Sequence, residues 1–94
     1  MTAQDLTLNI AVNLGRVSRW ALENREERIK QFLEETEIYL KQLEKTKRNP
    51  RFEKTYIAFS KKFYDLKNKV QFDETWAEDA LTWANILTHR AKLA

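Results

Sequence analysis

There is no cysteine in these 94 residues, and only one glycine, one proline and one histidine. Without cysteine, disulfides and thiolate metal sites are excluded, and redox chemistry says nothing about compartment. A single glycine rules out a glycine-rich phosphate loop. It also argues against a many-stranded β fold, whose hairpins consume Gly, Asn and Asp. No apolar run approaches the ~20 residues that a membrane span requires. The first residues lack the basic start and apolar core of a secretory signal, so a cytoplasmic location is the default expectation.

What is present is apolar and charged in the proportions of a folded domain, 43% and 33% respectively. The length corresponds to one domain, residues 1–94. A chain this short buries only about 60–65% of its unfolded surface, and oligomerisation is one way to supplement so thin a core. The net charge of +3 is unevenly laid out. Residues 45–70 hold nine Lys and Arg against Glu53 and Asp65, a local excess of +7, whereas residues 23–44 sum to −3.

Four helices are predicted, at about 4–22, 25–47, 51–70 and 74–92. In the third, Phe52, Tyr56, Phe59, Phe63, Leu66 and Val70 recur at alternating spacings of four and three, a heptad seam. Asn49-Pro50 suits its start, Asn as cap and Pro at the first position. In the fourth, Asp73 is the cap and Phe72 the first half of a hydrophobic staple onto Ala77. Trp76, Ala80, Trp83, Leu87 and Ala91 form its inward face. Ala77, Leu81, Ala84 and Ile86 widen that face enough for more than one neighbour. The second helix carries Ile29, Leu33, Thr36, Leu40 and Leu43 on the same rhythm, with Asn24 and Glu27 as a capping pair.

The first segment supports two patterns. Leu6, Leu8, Ile10, Val12 and Leu14 alternate as in a strand, while Ala3, Leu6, Ile10, Leu14, Val17 and Ala21 share a helical face. No other stretch alternates to supply a partner strand. Four helices of about 30 Å joined by short loops make an antiparallel, all-α, four-helix bundle. The alternative for residues 2–47 is one continuous helix, which would require a dimer to cover it.

Catalytic and metal chemistry find little footing here. His89 falls on the polar side of its helix with no second ligand at i±4, so no metal site is expected. The clusters at Glu26-Glu27, Glu34-Glu35-Glu37 and Asp73-Glu74-Glu78-Asp79 alternate with cations or occupy first turns, where acids suit the helix dipole. Asp79 borders the inward face, where an ion pair with Arg90 is expected. Ser18 and Ser60 have no base to activate them. The expectation is a non-enzyme with no cofactor and no small-molecule substrate.

Two surface features remain. Lys47, Arg48, Arg51, Lys54, Lys61, Lys62 and Lys69 form a basic stripe along the third helix and its preceding loop, long enough to follow several phosphates. Tyr64 lies beside it, where a base could stack. Leu8 and Val12, next to Ala11 and Gly15, point out of the first helix, and Ile57 and Tyr64 out of the third, as faces for a protein partner or a second copy. In size, charge and all-helical build the chain resembles the small helical subunits of CRISPR effector complexes. That resemblance is architectural and assigns no residue a role. It implies a non-catalytic subunit of a nucleoprotein assembly. The alternative is a free-standing homodimeric adaptor that binds only protein.

Overall fold

The computed structural model describes residues 1–69 and 71–94, and contains helices α1 (Ala3–Leu22), α2 (Glu26–Lys45), α3 (Glu53–Lys67) and α4 (Glu74–Arg90). Single 3-10 turns, Pro50–Phe52 and Ala91–Leu93, precede α3 and follow α4. No strand occurs among the described residues, and no helix there is long and apolar enough to cross a membrane. Helices α1 and α3 sit at opposite corners, each flanked by α2 and α4, in a body 37 × 20 × 18 Å. Val70, the last residue of the predicted seam, lies outside the described residues.

Helical periodicity prevails in the first segment. Leu6, Ile10, Leu14 and Val17 are fully buried, whereas Leu8 and Val12, the other half of the alternation, are exposed. The helix starts on a capping box: the Thr2 hydroxyl accepts from the Asp5 N–H and the Asp5 carboxylate accepts from the Thr2 N–H, each at 3.1 Å. It ends at Leu22 because Asn24 adopts a left-handed φ of 58°. The Arg25 N–H then reaches the Trp20 carbonyl and the Asn24 N–H the Ala21 carbonyl, a Schellman closure. Asn24 therefore stops α1 rather than capping α2, which begins at Glu26 behind Arg25, an N-cap position with no side-chain hydrogen bond. That stop also excludes one continuous helix through residue 47.

α1 packs most closely against α4, and small residues permit it. Ala11 and Ser18 on α1, Ala77, Ala80 and Ala84 on α4, and Ala91 in the turn that follows α4 are all buried. The Ser18 hydroxyl donates to the Ala77 carbonyl at 2.7 Å across this contact. Ala11, expected to point outward with Leu8 and Val12, thus belongs to the core: a methyl group is what the close approach to α4 accommodates. On the α2 side, Asn13 donates to the buried Thr36 hydroxyl at 3.3 Å, and Thr36 donates to the Phe32 carbonyl. No buried side-chain polar atom among the described residues lacks a partner.

α3 contributes bulk rather than backbone proximity. Phe52, Phe59, Phe63 and Leu66 are buried, and Tyr56 is half-buried. The Asn49 side chain accepts from the Arg51 N–H at 2.9 Å, so the Asn-Pro signal opens a 3-10 turn and the α-helix proper begins three residues later than Pro50. Asp73 caps α4 through the Trp76 N–H at 2.9 Å. Phe72 packs edge-on against Trp76, with ring centres 4.8 Å apart. The Trp76 indole N–H closes the end of α3 by donating to the Leu66 carbonyl at 2.9 Å.

Two one-step enlargements should have opposite signs. A methyl group at Gly15 meets no atom within 4 Å, so Gly15→Ala should stabilise the fold by about 0.5–1 kcal/mol through helix propensity. Ala80 has no exposed surface, so Ala80→Leu should overpack the α1–α4 contact and cost about 1–3 kcal/mol or more. Urea denaturation followed by far-UV circular dichroism measures both.

Candidate functional site

The cations of residues 45–70 divide into two groups. Three are neutralised within the molecule. Arg48 forms a two-pronged ion pair with Glu53 at 2.8 and 3.1 Å, and donates to the carbonyls of Leu43 and Glu44 at the end of α2. Its guanidinium lies 3.9 Å from the Tyr56 ring centre, and only 15% of its side chain is exposed. Lys62 pairs with Asp79 at 3.0 Å and Lys67 with Glu37. The other six, Lys45, Lys47, Arg51, Lys54, Lys61 and Lys69, are exposed and have no ion-pair partner among the described residues.

Five of the seven stripe residues named from the sequence therefore face solvent uncommitted, while Arg48 and Lys62 are fastened to α3 and α4. Arg48 serves as the clasp of the α2–α3 loop, because a planar guanidinium can meet a carboxylate, two carbonyls and an aromatic face together. Lys62 takes the Asp79 partner that had been expected to be Arg90. Arg90 instead donates to the buried Thr55 hydroxyl at 3.0 Å. It lies three turns along α4 from Asp79, too far for the two to meet.

On α3 the basic and apolar features are one surface. Ile57 is 50% exposed and lies between Lys54 and Lys61; Tyr64, 39% exposed, is one turn beyond Lys61. Asp65 is the one carboxylate on this outer face of α3. The Tyr64 ring packs edge-on to Phe63, with centres 5.3 Å apart, which fixes its plane. Partial burial, and then the Glu37 carboxylate, push its phenol above the ordinary range. Leu8 and Val12 lie on α1 at the opposite corner of the bundle, so the apolar residues proposed for docking fall into two separate patches.

A groove between α3 and α4 was not anticipated from the sequence. Trp83, assigned to the inward face, is only half-buried, because α3 presents the small Ala58 across from it. Lys54, Thr55, Ala58, Trp83, Ile86 and Arg90 line a recess of about 210 Å³ with no carboxylate in its wall. The signal in the sequence was a large ring opposite a small residue, legible only once the α3–α4 pairing is known. His89 is exposed in the last turn of α4, and no metal-ligating cluster occurs among the described residues.

The ion pairs contribute to stability at acid pH. Lys67 holds the Glu37 carboxyl below its ordinary 4.5, and Arg48 does the same for Glu53. Their folded-state values lie below the unfolded ones, so this stabilisation is complete above about pH 4.5 and is lost as pH falls through the folded values. The melting temperature should hold between pH 5 and 7 and drop below pH 4, less steeply in Glu37→Gln. Arg48→Ala should cost about 2–3 kcal/mol through the orphaned carbonyls and Glu53, while Lys54→Ala and Lys61→Ala stay within about 0.5 kcal/mol. Compared with models of protein families, with curated proteins and with solved structures, the chain matches none.

Proposed function

We propose that this protein is a non-catalytic helical subunit of a nucleoprotein assembly, and that the outer face of α3 contacts a nucleic-acid backbone. The observation that carries this reading is the division of the cations. Three of the nine basic residues in 45–70 meet internal carboxylates, while six remain exposed and unpaired among the described residues. Charges left at that density repel one another; the phosphates of a polyanion neutralise them, and the counterions this releases from the polyanion favour binding. The 15 residues of α3 span about 22 Å, room for several successive phosphates. Ile57 and Tyr64 within the same face add apolar and aromatic contact that a merely solvated lysine helix does not need. Leu8 and Val12, on the far side of the bundle, leave a second face for a protein neighbour, in keeping with a subunit held between partners.

The competing reading is a homodimeric adaptor that joins through Leu8 and Val12 and uses no nucleic acid. A titration of labelled RNA and DNA against salt separates the two. With four to five phosphates engaged, log K should fall against log salt with a slope of about −3 to −4. Lys54→Glu combined with Lys61→Glu should lower affinity at least tenfold at low salt with helicity unchanged. No binding at low salt, together with a dimer that Leu8→Asp and Val12→Asp dissociate in sedimentation, would establish the adaptor instead.

A further inference from the structure

We infer that the α3–α4 groove makes this face selective for single-stranded nucleic acid, with Trp83 as a stacking platform for one unpaired base. The inference rests on the backbone-contact reading above and adds a ligand class to it.

Of the three tryptophans, Trp20 and Trp76 are 7% and 4% exposed, whereas Trp83 is half-buried. Its inner side packs against Phe59, with ring centres 5.7 Å apart, which holds the indole in place. Its outer side borders the recess opened by Ala58, whose other apolar wall is Ile86. An amphipathic bundle would close such a gap with a larger residue on α3. Instead the apolar floor is left open to solvent beneath charged groups of one sign.

Those groups are placed for a phosphate backbone. Lys54 stands on the α3 rim and Arg90 on the α4 rim, with Thr55 between them. The Arg90 guanidinium is oriented by its bond to the Thr55 hydroxyl but has no carboxylate partner among the described residues. Lys61 follows one turn along α3 from Ala58, and Arg51 one turn before Lys54. An apolar, aromatic floor under a cationic rim is the combination that single-strand binders use: stacking on the base, attraction to the phosphates. A duplex can satisfy only the rim, since its bases are stacked on one another and cannot enter the recess. An acidic peptide would also find the cations, but gains nothing from a flat aromatic surface.

The test uses the intact protein with a fluorescein-labelled 15-nucleotide single-stranded RNA and a blunt duplex of the same sequence, at matched salt. The single strand should bind at least tenfold more tightly. It should also quench tryptophan emission, a signal assignable to Trp83 because the other two indoles are buried. Trp83→Ala should weaken single-strand binding roughly five- to hundredfold and remove the preference. Because Trp83 packs on Phe59, two further variants guard against misfolding. Trp83→Phe should retain the preference, and Ala58→Glu, at an exposed position, should abolish it while the protein stays helical. Equal affinity for strand and duplex without quenching would overturn the groove inference and leave the backbone reading standing. No binding of either would overturn both. Tighter binding and stronger quenching by a polyglutamate peptide would assign the groove to acidic protein and overturn the inference.

Discussion

The close contact between α1 and α4 governs the rest of the molecule. Alanine and serine along this seam bring two backbones together, and the Ser18 hydroxyl bridges them by donating to the Ala77 carbonyl. Small residues at these positions let the two helices approach closely, and α3 stands further from its neighbours. The aromatic side chains of α3 fill the space under α2 and α4 and hold α3 further out. α1 becomes the central helix, with more than half of its residues buried, and α3 the peripheral one. A peripheral helix has a wide solvent face, and that face carries two of the six uncommitted cations, Lys54 and Lys61, with Arg51 just before the helix and Lys69 just after it.

Electrostatics then sorts the basic segment. Where α3 meets α2 and α4, carboxylates from those helices reach its lysines, as Glu37 reaches Lys67 and Asp79 reaches Lys62. Arg48 fastens the loop that sets the register of α3 against α2. Away from the seams no carboxylate of α2 or α4 reaches the lysines, and Lys54 and Lys61 point to solvent beside Ile57 and Tyr64. The partition follows from packing geometry: internal pairing is available only within a side chain's length of the neighbouring helix. The large ring of Trp83 opposite the small Ala58 is one place where the α3–α4 seam fails to close.

Much of this was written in the periodicity of the chain. The buried faces of α2 and α3 follow the heptad spacing, because position around the helix axis selects the side that meets the neighbouring helices. The Asp73 cap was legible because its donor lies three residues away. Features that depend on which helices become neighbours were not. Asn24 could equally have opened α2; the Schellman bonds that make it the end of α1 involve carbonyls whose availability sequence does not reveal. Ala11 was placed outside because a small residue beside Leu8 and Val12 resembles a surface patch, whereas the approach of α4 makes it core. The same limit applied to the stripe: spacing put Arg48 and Lys62 in line with the free lysines, and only the tertiary fold supplies Glu53 and Asp79 as their partners.

Engagement of a nucleic-acid strand by the outer face of α3 and its seam with α4 can be read residue by residue from amide chemical shifts of the isotope-labelled protein titrated with a short single strand at low salt. Shifts should concentrate at residues 51–65 and 82–91 and include the Trp83 indole N–H, while Leu8, Val12 and the outer surface of α1 stay silent. Shifts confined to α1, or a spectrum that does not change at all, would contradict it.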